Sequence, residues 1–360
     1  MKLLLVSSAA LRTPPDDYGG LERVVYEHAS GLAKLGHDVT LVGAKGSRAP
    51  EGVDLIETVE PWNKLNPAQQ QAYGKADRVW NGWRAHEEEA YGFYKDRLGE
   101  FDLVSDHTWA KWAMMSKKET VIGTCHSVKS YNARPPREFA LFTGVSRGHS
   151  RFLSAQLHTP VRTFWNPVDI DAIPLQKDKS DRFLSLNRVM PTKGIHFFID
   201  VLEKAHAKGD IAGDDSQLVP DQVYVQNIRQ RCARSACANY IGLVSDADRV
   251  KLLQNAKALL CFVDGGYQEV FGLQAVEALA AGTPVIAAES WGFMDTIVNG
   301  ENGFLCKTPD EVVKRMGEIM DGTVKFDPEK CRASVAKFSK QESAKRAEGL
   351  FRSVVSGCRW

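Results

Sequence analysis

The chain predicts an α/β fold of two doubly wound parallel sheets, and three features carry that expectation. Its 360 residues are too many for one ordinary domain and suit two of α/β size. Short apolar runs alternate with stretches of helical period, the order that places helices on both faces of a parallel sheet. A stretch from Asn166 through Pro174 to Arg182, charged toward its end, interrupts the alternation, which then begins again.

In the first half, Lys2 to Ser7 reads as a strand and Val39 to Val42 as a second. Between them Leu21, Val24, Val25, Ala29, Leu32 and Ala33 give a helical stripe over Leu21 to Leu35, with Gly36 placed as a C-terminal cap. This is a βαβ unit. Residues 63–100 are polar and then aromatic, with Trp80, Trp83, Tyr91, Phe93 and Tyr94 among charges, and read as one or two flanking helices. Short strands are expected at Leu103-Val104, Val121 to Thr124 and Phe142 to Val145, with Asp106-His107 and His126 at carboxyl ends, where open sheets bind ligands. In the second half, strands are expected at Phe183 to Leu186, Ile211-Ala212, Tyr240-Ile241, Ala258 to Val263 and Val285 to Ala288. Helices are expected at Ile195 to Ala207, Asp246 to Asn255, from about Phe271 to Ala280, and Lys340 to Val355.

Composition narrows the function. Lys and Arg number 46 against 45 Asp and Glu, which leaves no electrostatic bias toward nucleic acid. A hydrophobic share of 43% describes a globular chain. No run approaches the roughly 20 apolar residues of a membrane span; at most, a basic patch of Lys111 with Lys117-Lys118 would make peripheral contact. The opening Met1 to Ser8 leads into Pro14-Pro15-Asp16-Asp17, not a small-residue cleavage site, and reads as a buried strand. Seven cysteines without a CxxC framework point to reduced thiols in the cytoplasm, and Cys232 with Cys237 makes a poor metal case.

The sharpest chemical signal is Glu269 and Glu277, eight positions apart around the start of a helix that Gly282 and Pro284 end. The first-turn N–H groups near Phe271, Gly272 and Leu273 can hold an anion, and a carboxylate on each side can accept sugar hydroxyls. Upstream, Arg188 and Lys193 stand five residues apart, between a strand end and a helix, where two cations can clamp a diphosphate. Tyr18-Gly19-Gly20 precedes the first helix, and its glycines permit close approach of a phosphate; Glu22 reads as a first-turn acid. Asp106-His107 would either cap the next helix or bind acceptor. Ser146-Arg147 and Asn166 are further candidates, while Glu289 and Asp295 read as surface groups. No arrangement of carboxylates makes a persuasive metal site, and none is expected.

Glu269 and Glu277 resemble the E-x7-E donor motif of family-4 retaining nucleotide-sugar glycosyltransferases, whose glutamates hold the donor sugar and the nucleotide ribose. Val270 departs from the family, which often has proline there. Arg188, Lys193 and Gly194 resemble its arginine–lysine–glycine element, with Asn187 replacing the usual glycine. The resemblance implies the GT-B architecture: two Rossmann-like doubly wound domains facing across a cleft. Residues 1–168 would bind acceptor and 169–340 the nucleotide sugar, with 341–360 crossing back to the first domain. It implies that Gly19 and Gly20 contact the donor diphosphate and that His126 reaches the reacting centre. Catalytic roles thus fall to His126, Arg188, Lys193 and Glu269, and donor binding adds Val270, Phe271, Gly272, Leu273 and Glu277. Tyr18, Asp106 and His107 lie on the acceptor side. Gly213-Asp214-Asp215 resembles the family's G-x-G turn, although Asp215 stands where a second glycine is common, and Tyr240 to Val244 occupy the base-contact segment.

The expected reaction moves a hexosyl group from a nucleoside-diphosphate sugar, UDP foremost with GDP or ADP as alternatives, to a saccharide, lipid-linked or small-molecule hydroxyl. It needs no cofactor beyond this co-substrate. A GT-B epimerase or hydrolase and a non-catalytic nucleotide-sugar-binding protein are the rival readings. A dinucleotide dehydrogenase is disfavoured because no G-x-G-x-x-G follows the first strand.

Overall fold

The computed structural model describes residues 1–16, 19–73, 79–116, 118–127, 141–216, 219 and 221–360, without the side chains of 79–81. These form two compact units, Met1–Pro167 with Lys340–Trp360, and Val168–Ser339.

The first unit contains, in chain order, β1 (Lys2–Val6), α1 (Gly20–Lys34), β2 (Asp38–Gly43), β3 (Val53–Glu57), α2 (Pro67–Ala72), α3 (Val79–Gly92), β4 (Leu103–Asp106), β5 (Val121–Cys125), β6 (Leu141–Gly144), α4 (Arg147–Leu157) and β7 (Val161–Thr163). Its seven strands are parallel in the order β3-β2-β1-β4-β5-β6-β7. Leu3, Leu4 and Leu5 are fully buried because β1 is covered on both faces, which is why it reads as a continuous apolar run. Leu21, Val25, Ala29 and Leu32 of α1 pack into a core that Ala347, Phe351 and Val354 of the final helix complete. A Cβ at Gly31 would stand 2.9 Å from that of Ala344, so the glycine permits this close helix packing. The two strands of this sheet absent from the sequence reading, β3 and β7, are its edges. Their half-buried side chains give no continuous apolar run.

The second unit contains β8 (Arg182–Leu186), α5 (Ile195–Lys204), β9 (Lys208–Ala212), α6 (Gln222–Arg234), β10 (Ala238–Gly242), α7 (Asp246–Asn255), β11 (Leu259–Cys261), α8 (Leu273–Ala280), β12 (Val285–Ala288), α9 (Trp291–Thr296), β13 (Gly303–Cys306), α10 (Pro309–Met320) and α11 (Pro328–Ser334). The chain returns to the first unit with α12 (Lys340–Val355). The second sheet is parallel in the order β10-β9-β8-β11-β12-β13. The strand ending at Ala212 has five residues rather than the two expected, because Lys208, Gly209 and Asp210 pair with β8 despite their polarity. Asp295, expected at the surface, is buried in α9. Among the described residues, no helix is long and apolar enough to cross a membrane.

The stretch that reads as a linker contributes a structural cation. Lys179 Nζ donates to Gln254 O at 2.8 Å, Ala281 O at 3.1 Å and Thr283 Oγ1 at 2.8 Å. It therefore joins the carboxyl ends of α7 and α8, where a positive charge also complements the helix dipoles. Burial lowers its pKa to about 8. In the first unit, His28 of α1 stacks on Phe164 at 4.6 Å, and neither ring nitrogen has a hydrogen-bond partner among the described residues. Burial, with the Arg346 charge adding to it, lowers the His28 pKa from 6.5 to about 3.

Two outcomes are expected. Lys179→Met leaves three acceptors short of a donor and should cost about 2–4 kcal/mol, read from the midpoint of urea unfolding. For His28, the unfolded chain takes up a proton near pH 6.5 while the folded chain does not until about 3, so its contribution is complete above 6.5 and declines as pH falls through that window. Thermal melts from pH 7 to 4 should show a smaller acid-driven decline for His28→Leu than for wild type.

Candidate functional site

In the second sheet the strand order reverses between β8 and β11, and open α/β sheets bind ligands beyond the carboxyl ends of strands at such a point. The loop after β8 carries Arg188 and Lys193, and the loop after β11 carries Glu269. The structure brings the last two together: Lys193 Nζ lies 2.5 Å from Glu269 Oε2 and 3.4 Å from the Tyr267 hydroxyl. The Asp264 N–H donates to Thr192 O at 3.1 Å, a backbone tie between the same loops. Arg188 faces a different carboxylate, with its Nε 3.4 Å from Asp214 Oδ2. Asp215 turns away to Arg229 and Tyr240, so the two adjacent acids serve separate partners.

Backbone conformation explains the glycines in these loops. Gly194 has φ +59°, and a Cβ there would stand 2.5 Å from that of Phe262. Gly272, with φ +82°, precedes α8, and a Cβ there would meet the Phe293 ring at 2.5 Å. Asn187, where the family has glycine, gains a use: its Oδ1 accepts from Gln274 Nε2 at 3.1 Å, joining the end of β8 to the first turn of α8.

Glu269 is fixed through its backbone. Its N–H donates to Ser290 Oγ at 2.6 Å, and its carbonyl accepts from the Gly292 N–H at 2.9 Å. Val270 is buried in the loop thus held, and Phe271 packs edge-on against Phe338 at 5.4 Å. Beyond Gly272, the N–H groups of Leu273 and Gln274 occupy the first turn of α8, where an α-helix has no carbonyl of its own to offer them. Glu277 lies one turn further and is also buried, ion-paired with Arg249 of α7. The Glu277 charge, more than any other group, raises the Arg249 pKa. Burial, followed by the Glu269 charge, pushes the nearby Cys261 thiol far above its usual range.

In the first unit, Gly19 and Gly20 stand at the start of α1, and a Cβ at Gly19 would strike Pro15 and Leu11 within 2.8 Å. Tyr18 lies outside the described residues. Glu22, in the first turn of α1, is buried and accepts from Ser8 Oγ at 2.7 Å, which ties the preceding loop to the helix. Both oxygens of Asp106 are engaged, Oδ1 by the Thr108 N–H and hydroxyl and Oδ2 by the Ala113 N–H in the short turn Trp112–Met115, whose N-cap is Lys111 and not Asp106. His107 bridges Ser105 Oγ at 3.0 Å and His126 Nε2 at 2.9 Å. Burial, the largest cause, holds both imidazoles well below their ordinary pKa. Ser146 caps α4 and Asn166 is buried. The surface patch expected of Lys111 does not form, because Lys111 is fully buried with its ammonium on Thr108 O. Lys118 donates to Phe101 O, and Lys117 lies outside the described residues.

The pairings of Asp214, Arg249, Ser290 and Gln274 with motif residues escaped the sequence reading. Each of the four partners a motif residue from a distant segment, and no local period announces such a pairing. All seven cysteines are free, and among the described residues no three His, Cys, Asp or Glu groups stand together as metal ligands would.

Comparison with known proteins agrees with this architecture. Residues 169–338 match the family model for glycosyl transferases group 1, and residues 18–171 match the model for glycosyltransferase family 4. The chain is 31% identical over 357 residues to an uncharacterized glycosyltransferase of Methanocaldococcus jannaschii, covering 85% of this chain and 86% of that protein. It is 23% identical over 354 residues to glycogen synthase of Mycobacterium tuberculosis, covering 86% and 83% respectively. The crystal structure of Anabaena HepE in complex with UDP and glucose superposes with a TM-score of 0.68 at 17% identity, over 98% of this chain and all of that one. Two family models in tandem, a relative matched over most of its length and a shared GT-B fold lead to one conclusion: this chain belongs to the family-4 glycosyltransferases.

Proposed function

We propose that the chain is a retaining hexosyltransferase that takes its sugar from a nucleoside diphosphate, UDP foremost with GDP or ADP as alternatives, and passes it to a hydroxyl of a saccharide, lipid-linked or small-molecule acceptor. The observation that carries this reading is the meeting of Lys193 with Glu269 at 2.5 Å, four residues before a helix start that leads to Glu277. A cation for phosphate and carboxylates for hydroxyls thus sit on loops and a helix at one sheet switch point. The Anabaena protein's complex with UDP and glucose supports uridine and a hexose as the first donor to test. The free thiols fit a reducing compartment, and we place the enzyme in the cytoplasm.

In this mechanism the bond from the anomeric carbon to the diphosphate breaks, and its electron pair leaves with the phosphate oxygen. The charge that develops there meets Arg188, Lys193 and the first-turn N–H groups of α8, which stabilise it more than the ground state. An ammonium has three donors, so Lys193 can hold Glu269 and a phosphate oxygen together. Glu269 accepts from sugar hydroxyls and Glu277 from the ribose. The acceptor oxygen bonds to the anomeric carbon on the face the phosphate leaves, and the phosphate takes the acceptor's proton. Retention follows without a side-chain nucleophile. The two cations and the helix terminus supply the charge that a metal would otherwise bring. The roles of Gly19, Gly20 and His126 remain those that the family resemblance implies.

Glu277→Ala should weaken UDP binding about tenfold or more by titration calorimetry, the worth of a charge-assisted hydrogen bond, whereas Glu269→Ala should mainly lower kcat. Wild-type turnover by both variants would contradict the assignment. Arg188→Ala should lower kcat by about 10²–10³ in initial-rate assays. Activity should persist in excess EDTA; complete loss, restored only by Mg²⁺ or Mn²⁺, would show that the cations do not suffice.

A further inference from the structure

Glu277 is a buried carboxylate, and a buried carboxylate without an opposite charge is costly enough to be neutralised. Arg249 supplies that charge from α7, the helix before α8. Its Nη1 pairs with Glu277 Oε2, while its Nε lies 3.4 Å from Asp246 Oδ1 at the start of α7. One guanidinium thus joins two helices: α8, which carries Glu277, and α7, which follows the segment Tyr240 to Val244. The closest contact of the pair is to Oε2, so Oε1 of the same carboxylate is the oxygen on which a ligand hydroxyl is placed below. A buried ion pair is seldom more stabilising than two apolar side chains of the same volume, so fold stability is a weak reason for this arrangement.

We propose that Arg249 is a positioning residue for nucleotide recognition: it holds the Glu277 carboxylate by one oxygen and so aims the other at the ribose hydroxyls. The proposal rests on the reading above that Glu277 meets the ribose. Arg249 itself touches no ligand in this account. Its removal lets the carboxylate turn or take up a proton, and either change removes the ribose contact while leaving the diphosphate contacts of Arg188 and Lys193 in place.

The test compares UDP with 2′,3′-dideoxy-UDP by titration calorimetry on the full chain; GDP or ADP and the matching dideoxy compound replace them if one of these binds more tightly. Wild type should prefer the ribose form by about tenfold or more, and Glu277→Gln should lose that preference. Arg249→Gln should lose it as well, while binding the dideoxy probe within about twofold of wild type. A purely structural role would instead weaken both probes equally. Arg249→Lys keeps a charge, and so a better prospect of folding, but its single ammonium cannot span Asp246 and Glu277 as the guanidinium does. Its preference should fall between those of wild type and Glu277→Gln. A wild-type preference in either Arg249 variant overturns the proposal while leaving the Glu277 reading intact. No preference in wild type itself overturns both.

Discussion

The ion pair between Lys193 and Glu269 is the contact on which the organisation of the second unit's site depends. It joins the loops after β8 and β11 at the point where the strand order reverses. Around it the charges are balanced in pairs: Arg188 with Asp214, and Arg249 with Glu277. A lysine carries three donors and a carboxylate two oxygens, so one ion pair need not exhaust either group. The site thus presents both signs of charge at the switch point.

The backbone also fixes the segment that carries Glu269. Glu269 is tied to α9 through Ser290 and Gly292, and Gly272 bends the chain into α8 where Phe293 leaves no room for a Cβ. Fixed carboxylates and cations need little rearrangement as charge develops, which is the condition for electrostatic stabilisation of a leaving group. The arrangement belongs to the fold as much as to the motif, because the loops emerge from adjacent central strands.

Much of this was legible in the sequence, for physical reasons. Central strands and the helices that cover them carry continuous apolar runs or a clear period, and the helices Asp246–Asn255 and Lys340–Val355 and the strand Val285–Ala288 fall where that patterning puts them. The edge strands β3 and β7 and the polar helix α6 bury too little to leave such a signal. The position of Glu269 before a helix and of Glu277 within it was readable because a short motif and a helix start coincide. What Lys193, Arg188 and Glu277 pair with was not, since Asp214 and Arg249 come from other segments and meet the motif only in the folded chain. Lys111 and Asp295 show the same limit from the other side: a charged residue reads as surface until a buried acceptor or a tucked helix claims it.

In the proposed reading, this unit holds a nucleoside-diphosphate sugar with Lys193 on phosphate and the two glutamates on separate hydroxyl groups. A crystal structure with UDP-glucose bound tests it most directly. The Lys193 ammonium and the first turn of α8 should lie within hydrogen-bond distance of phosphate oxygens, with Glu269 on the hexose and Glu277 on the ribose. A nucleotide bound elsewhere, or one whose phosphates approach neither Lys193 nor the start of α8, would contradict it.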